Sequence, residues 1–240
     1  MQEQETKPYT IPYYNIPLEK FFQFGVSVDC VVFGYINNQL NALIIKRGAE
    51  PFKGEYALPG DLVYPNEPVD SAARRVLKEL TGIHDLFLEQ THVYGQVDRH
   101  PLGRVITTGY YALIDISKHD PHAAAWADDL SWININELPE LAFDHKYILQ
   151  DALIKLRAQL RHEPIAFELL PEKFTLGELQ QFYEGMLGTN YDKANFRKKM
   201  LSLKILIETN ELQKDVPHRP AKLFTLNKDL KNIKSYAFDL

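Results

Sequence analysis

Cysteine is almost absent from this chain of 240 residues, since Cys30 is its single example. One thiol cannot form an intramolecular disulfide or a cysteine-rich zinc module. Cys30 lies in the apolar run from Val26 to Phe33, which favours a buried structural thiol over a nucleophile. The sequence also lacks an apolar stretch long enough to cross a membrane and the basic and hydrophobic regions of a signal peptide. We therefore expect a cytoplasmic protein with no membrane association.

The chain is long enough to bury a proper core in one large domain or two modest ones. Its net charge of −5 at pH 7 is unevenly distributed, because basic residues slightly outnumber acidic ones beyond residue 164. Five basic residues fall within one segment, namely Lys193, Arg197, Lys198, Lys199 and Lys204. Such a cluster indicates either a nucleic-acid-binding surface or an ordinary solvated helix face.

The most informative motif reads LPGDLVYPNEPVDSAARRVLKELTGI, from Leu58 to Ile83. It resembles the Nudix box, Gly-x5-Glu-x7-Arg-Glu-hydrophobic-x-Glu-Glu-x-Gly-hydrophobic. The residues that fall in register are Glu67, Arg75, Leu77, Glu79, Gly82 and Ile83. The residues that depart from it are Asp61 in place of the first glycine, and Val76 and Leu80 in place of two glutamates. An ordinary amphipathic helix would explain the apolar residues but not the turn, the glutamates and the arginine in register.

The departures matter because Nudix hydrolases hold divalent cations on glutamates from one helix face, and hard cations need oxygen ligands. Glu79 alone cannot form that cluster. The sequence therefore predicts a retained fold without efficient hydrolysis, with no catalytic residue set, no metal site and no cofactor.

Residues 1–163 have the pattern of an α/β unit. Apolar, β-branched runs at 24–35 and 40–48 are joined by Asn37-Asn38, which is typical of a hairpin. A helix is predicted from Pro68 to Leu80 and a second from Lys146 to Arg161, with strands at 92–98, 105–116 and 130–135. Strands interleaved with helices in this order predict an α/β/α sandwich with a mixed sheet.

Residues 164–240 have the pattern of a small winged helix-turn-helix domain. Thr175 and Glu178 form a capping box before an apolar helical stripe, and 188–190 break the helix. A basic second helix follows, in which Phe196, Met200, Leu201 and Leu203 are expected to face inward. The runs ILIETNELQ and LFTLN then predict a two-stranded wing, with the loop VPHRPAK between them.

On this interpretation Asn195, Arg197 and Lys198 are candidates to approach base edges, and Lys193, Lys199 and Arg219 to contact phosphates. Lys222 lies at the base of the wing loop and completes the predicted DNA-binding set.

Six segments together resemble the Nudix-related transcriptional regulators, the NrtR-like family. They are the LPGD turn with the incomplete box that follows it, DRHPLGRV, LPELAFDHKYIL, LLPEKFTLGELQQFYEGMLG, NFRKKM and HRPAKLF. The resemblance extends from about Phe24 to Leu226. The resemblance implies a DNA-binding regulator, most simply a repressor, that forms a homodimer on a palindromic double-stranded operator. It also implies a small-molecule effector in the former Nudix pocket, an ADP-ribose-like metabolite or a sugar such as arabinose.

Loss of the two glutamates favours a neutral sugar or another small metabolite, whereas Arg99 and Arg104 would suit phosphate oxygens or a structural ion pair. The candidate effector-binding residues are Arg47, Phe52, Tyr56, Gly60, Asp61, Glu79, Arg99 and Arg104. Two other interpretations stay open at this point: a hydrolase of nucleoside diphosphate derivatives with an appended interaction domain, and a ligand-binding module that contacts another protein.

Overall fold

The computed structural model describes residues 23–214, 216–217 and 219–227. Within that range the chain forms nine β-strands and four α-helices, with short 3-10 helices at Ile116–Lys118 and Pro164–Glu168. The first unit contains β1 (Gly25–Ile36), β2 (Gln39–Arg47), β3 (Tyr56–Ala57), β4 (Gly60–Leu62), α1 (Val69–Thr81), β5 (Glu89–Tyr94), β6 (Val105–Ile114), β7 (Ala127–Asn134) and α2 (His145–His162). The second contains α3 (Leu176–Leu187), α4 (Lys193–Ser202), β8 (Leu206–Leu212) and β9 (Lys222–Leu226).

The long strand β1 organises a mixed sheet. It pairs in parallel with β6 over ten residues and antiparallel with β2 near its end, through the hairpin at Asn37 and Asn38. Both asparagines have positive φ, at 50° and 63°, as a tight hairpin turn requires. The first half of β1 pairs instead with the short β4, and β2 pairs with β7 on its other edge. On this edge β1 therefore has β4 as its neighbour in its first half and β2 near its end, which leaves space between β4 and the end of β2.

Alternate residues of β1 point to opposite faces of the sheet, and each face is covered by one helix. Val28, Cys30 and Val32 pack in the core that includes α1. Val31 and Phe33 pack in the core that includes α2 and continues into α3 and α4. The predicted sandwich and the buried Cys30 thiol are thus confirmed.

The C-terminal unit is a winged helix. Thr175 and Glu178 form the predicted capping box, with both reciprocal hydrogen bonds present. The strands β8 and β9 pair antiparallel, and Phe174 joins them through two backbone hydrogen bonds with Phe224. Phe196 and Met200 of α4 are buried against α3, as expected.

Two local predictions were wrong. Leu201 is 41% exposed instead of facing inward, because it follows the buried Met200 by one residue and so lies about 100° around the helix. The strand expected at 92–98 is displaced to Glu89–Tyr94. The chain leaves the sheet at Gly95, and Arg104 donates a hydrogen bond to the Gly95 carbonyl that closes the base of the loop 95–104. The polar residues Asp98 to His100 therefore belong to a loop and not to a strand.

The two units pack directly on each other. The ring centroids of Tyr35, from β1, and Phe182, from α3, are 4.6 Å apart, and the Tyr35 hydroxyl donates to the Gln181 carbonyl. Gly185 brings α3 so close to the hairpin that a Cβ atom there would overlap the backbone oxygen of Asn38. The hairpin tip thus forms part of the contact between the units.

No helix in the described part of the chain is long and apolar enough to span a membrane.

Gly185→Ala is expected to lower the free energy of unfolding by about 1–3 kcal/mol, because the new methyl group meets backbone atoms that cannot rotate away. Gly177→Ala, in the same helix, is the matched control. Its Cβ atom would meet only the Thr175 hydroxyl at 3.7 Å, so stability should stay equal or rise by up to about 1 kcal/mol. Urea unfolding of both variants measures the difference, and equal effects would contradict a tight contact at the hairpin.

Candidate effector cleft and DNA-binding surface

A cleft of about 290 Å³ opens where β1 exchanges its pairing with β2 for pairing with β4. It combines charged side chains with aromatic ones. Its lining includes Asp29, Arg47, Gly60, Asp61, Arg99, His100, Trp126, Phe143 and His145.

The floor of the cleft is a buried ionic network centred on Asp29 of β1. The Arg99 guanidinium donates two hydrogen bonds to Asp144, at 2.6 and 2.9 Å, and one to Asp29 at 3.4 Å. His145, the first residue of α2, lies with Nε2 at 3.3 Å from the Asp29 carboxylate. Its Nδ1 accepts a hydrogen bond from the Leu58 backbone N–H at 2.9 Å, so Nδ1 is the unprotonated ring nitrogen and Nε2 carries the proton. The network joins β1, the loop 95–104 and the start of α2.

Burial by itself would raise the pKa of Asp29. His145, Arg99 and Thr107 more than offset that effect and hold the pKa of Asp29 below its ordinary value of 3.8. The carboxylate is therefore ionised at neutral pH and fixes the orientation of both of its basic partners.

Arg47 forms one wall of the cleft, at the end of β2. Its guanidinium carbon lies 4.7 Å from the Trp126 ring centroid and 5.0 Å from that of Phe143, while Nε donates to the Pro51 carbonyl at 2.7 Å. Asp61 accepts a hydrogen bond from the Trp126 indole at 3.2 Å. The residue that replaces the box glycine therefore holds the tryptophan beside Arg47.

Gly60 is required by the close approach of Asp29. A Cβ atom at Gly60 would overlap the Asp29 carboxylate. The glycine of the LPG turn thus leaves room for the central acid of the network.

Residues with strained backbone lie at or beside the aromatic wall of the cleft, which His100, Trp126 and Phe143 form. Phe52, Ala125 and Phe143 all have positive φ, at 63°, 50° and 57°, which is uncommon for residues other than glycine. The Phe52 and Phe143 rings meet edge to face at 4.7 Å, and His100 stacks on Phe143 at 5.3 Å. Such strain is typical of sites whose geometry is fixed by the surrounding structure.

The part of the box from Glu67 onward braces the fold instead of lining the cleft. Arg75 donates to Glu67 at 2.7 Å, to Glu79 at 3.0 Å and to the Leu62 carbonyl at 2.8 Å. Val76 and Leu80, which replace the two glutamates, are 0% and 1% exposed in the core beneath α1. Val76 and Leu80 offer no oxygen ligand to a hard cation, and Glu67 and Glu79 are both hydrogen-bonded to Arg75. Among the described residues no group of three or more His, Cys, Asp or Glu could hold a metal ion.

Four of the predicted effector-binding residues line the cleft: Arg47, Gly60, Asp61 and Arg99. Phe52 stands behind it, against Phe143. Tyr56, Glu79 and Arg104 are not brought to it: Tyr56 lies on β3, Glu79 pairs with Arg75, and Arg104 closes the loop base. Arg99 forms structural ion pairs with Asp29 and Asp144, as the second interpretation of this residue expected.

The sequence reasoning missed Asp29, Trp126, Phe143 and His145. Asp29 had a usable signal, since it is a charged residue inside an otherwise apolar strand. Asp144 and His145 both make hydrogen bonds in the network, although the Asp144 side chain makes no cap bond to α2.

The predicted DNA-binding residues lie mainly on α4. Lys193, Asn195, Arg197 and Lys198 are exposed on it and Lys199 is half-buried. Asp192 caps the helix by accepting a hydrogen bond from the Asn195 backbone N–H at 2.9 Å. Arg219 is exposed in the wing loop, whereas Lys222 is ion-paired with Glu208. The N-terminal half of α4 thus presents a basic surface of the kind that enters a DNA groove in winged helices.

Two family models match this chain. Residues 24–152 match the NUDIX domain, and residues 166–226 match the NrtR DNA-binding winged helix domain. The chain belongs to the Nudix family, in the branch of NrtR-type DNA-binding transcriptional regulators.

Individual relatives agree with this placement. The "ADPR responsive transcriptional repressor NtrR" of Acinetobacter baylyi is 34% identical over 83% of this chain and 80% of its own length. An ADP-ribose pyrophosphatase of Methanocaldococcus jannaschii is 38% identical over 53% of this chain and 72% of its own. The structure of Shewanella oneidensis NrtR complexed with a 27mer DNA has a TM-score of 0.64 at 28% identity, covering 84% of this chain and 93% of that one. The NUDIX domain of the same protein complexed with ADP ribose has a TM-score of 0.52 at 28% identity, covering 59% and 94%.

Asp29→Asn is expected to lower the free energy of unfolding at pH 7 by about 3–5 kcal/mol, because it removes one partner of a buried ion pair. Since the pKa of Asp29 is lowered in the folded state, its contribution is complete above the ordinary value of 3.8 and is lost as the pH falls through the lower, folded value. Urea unfolding from pH 7 to pH 2 should show the two proteins converging at the acid end. Asp120→Asn, at an exposed acid, is the control. A difference in unfolding free energy between Asp29→Asn and wild type that does not change with pH would contradict the lowered pKa of Asp29.

Proposed function

We propose that this protein is a transcriptional repressor whose operator affinity falls when ADP-ribose, or a closely similar metabolite, binds the cleft of its Nudix domain. The observation that carries the proposal is the coexistence in one chain of a charged, aromatic cleft and an exposed basic helix on a winged domain. Neither feature depends on hydrolysis.

The side chains of the cleft suit a ligand that carries both rings and phosphates. Arg47 has no hydrogen bond through its terminal nitrogens to any described residue, and arginine suits phosphate oxygens. Trp126, Phe143 and His100 offer aromatic surfaces for a base, while Asp61 and Glu50 can accept hydrogen bonds from sugar hydroxyls. Burial, Arg99 and Arg47 lower the pKa of His100 below its ordinary 6.5, so at neutral pH the ring stacks largely uncharged.

The comparisons favour the same ligand class. The Acinetobacter baylyi relative is described as ADPR responsive, and a related NUDIX domain has been crystallised with ADP ribose. The expectation of a sugar such as arabinose has no support among these relatives.

We further propose the arrangement on DNA. A homodimer would bind a palindromic operator, with Asn195, Arg197 and Lys198 near base edges and Lys193, Lys199 and Arg219 near phosphates. Lys222 is the weakest member of the set, since its ammonium group is already paired with Glu208. We propose that the Nudix domain ends at residue 163, directly after α2, and that the winged helix domain begins at residue 164.

The alternative is a hydrolase, and the Methanocaldococcus jannaschii pyrophosphatase gives it support. The buried aliphatic pair Val76 and Leu80 weighs against it, because the box then lacks the ligands for the divalent cations that Nudix hydrolysis uses. We infer that binding without efficient turnover is the function of this cleft.

Operator binding and effector binding should be separable by substitution. Arg197→Gln is expected to weaken binding to the chain's own upstream DNA by about 10–100-fold and to leave ADP-ribose affinity unchanged. Arg47→Gln should do the reverse, lowering ADP-ribose affinity by about 10–100-fold while operator affinity stays within about twofold. Fluorescence anisotropy over a salt series and calorimetry measure the two affinities.

The matched controls are Lys118→Gln for the DNA surface and Arg74→Gln for the cleft, since both remove a positive charge outside either site. A scrambled duplex tests specificity, and arabinose tests the sugar alternative. Equal binding to both duplexes, or weakening of operator binding by arabinose and not by ADP-ribose, would contradict the proposal.

Purified protein is expected to show no magnesium-dependent cleavage of ADP-ribose above the level of its Glu79→Gln variant. Release of AMP and ribose phosphate, followed by chromatography, is the measurement. Turnover that rises with magnesium and falls sharply in Glu79→Gln would establish the hydrolase instead.

A further inference from the structure

Helix α2 joins the effector cleft to the helix-turn-helix. At its first residue, His145 contacts Asp29, and the preceding Asp144 holds Arg99. Twelve residues later, about 18 Å along the axis, Arg157 reaches the C-terminal end of α3. One continuous helix therefore contacts both functional parts of the molecule.

The contact of Arg157 with α3 is specific. Its Nε donates to the Met186 carbonyl at 3.3 Å, one of the last-turn carbonyls of α3 that lack an intrahelical partner. Its guanidinium also lies against Gly188, which ends α3 in the left-handed conformation at φ 67° and where a Cβ atom would stand 2.7 Å from Nη2. No carboxylate of a described residue lies within 4.0 Å of this half-buried arginine. Its positive charge is matched instead by the negative end of the α3 dipole.

The turn that Arg157 contacts sets the position of α4. Glu184 accepts a hydrogen bond from the Tyr191 backbone N–H at 2.9 Å, and Gln180 donates to the Tyr191 carbonyl at 2.8 Å. Asp192, the next residue, caps α4. Side chains of α3 are therefore bonded directly to the backbone of the segment from which α4 begins.

We propose that Arg157, a side chain of the Nudix domain, is the positioning residue that couples occupancy of the cleft to the orientation of α4. The inference rests on the proposed function. A ligand that competes for Arg99 or His145 changes the contacts at the start of α2, and Arg157 applies the resulting shift to the helix-turn-helix.

The test is the ratio of operator dissociation constants with and without saturating ADP-ribose, measured by anisotropy on the full chain and its own upstream duplex. The wild-type ratio is expected within the ordinary range for coupled sites, about 5–150-fold. Arg157→Gln should bring the ratio to within about twofold of 1, while calorimetry shows ADP-ribose affinity retained. Arg157→Lys, which keeps the charge near the α3 carbonyls, should restore part of the response.

Lys155→Gln is the matched control, because it removes a positive charge two residues away on α2, where the ammonium group bonds the carbonyls of Gln90 and Thr91 in β5 instead of α3. It should respond to ADP-ribose as wild type does. A purely structural role for Arg157 would weaken operator binding equally with and without ADP-ribose, and that unchanged ratio would overturn the inference. If Arg157→Gln does not fold, Arg157→Met, which keeps the apolar stem without the charge, takes its place, and a full wild-type response in that folded variant would overturn the inference equally.

Failure of the proposed function has a different signature. Wild-type protein that does not bind its upstream duplex, or binds it with no change on adding ADP-ribose, would overturn that function and this inference with it. A responsive wild type together with an equally responsive Arg157→Gln would overturn the coupling role alone.

Discussion

The buried guanidinium of Arg99 is the interaction on which the arrangement of the cleft depends. It joins a loop to the central strand through Asp29 and to the beginning of α2 through Asp144. Removing charges from water is costly unless each is paired in good geometry, so the three segments can be buried together only in the relative positions that the network allows. The imidazole of His145 contacts Asp29 of this network, and the Phe143 ring of the aromatic wall packs against that imidazole.

The same network also connects the cleft to elements that contact the second domain. Arg99 and His145 form part of its floor, His145 is the first residue of α2, and Arg99 is bonded to the preceding Asp144; the β1–β2 hairpin contacts α3 of the second domain. A ligand changes a conformational equilibrium only by the difference in its affinity for the two states. Contacts at these residues can differ between states because other elements share them.

Much of the framework could be predicted from local spacing. The box turn and its helix, the asparagine hairpin and the capping box at Thr175 each depend on residues a few positions apart, so their signals survive in a single sequence. The network could not be predicted in this way, because Arg99 lies 70 residues from Asp29 and 45 from Asp144. Trp126 and Phe143 were missed because they act from irregular segments, where periodicity gives no information. Leu201 shows the limit of the apolar pattern, since being apolar did not decide which side of α4 it occupies.

The burial of Val76 and Leu80 limits which side chains these two positions can accept. Both side chains are part of the packed core between α1 and the sheet, so glutamate at either position would place a charge among apolar atoms without a partner. A carboxylate at either position would therefore weaken the domain before it could contribute to ligand binding. The two positions that the box motif gives to glutamate are thus occupied here by side chains that attach α1 to the sheet.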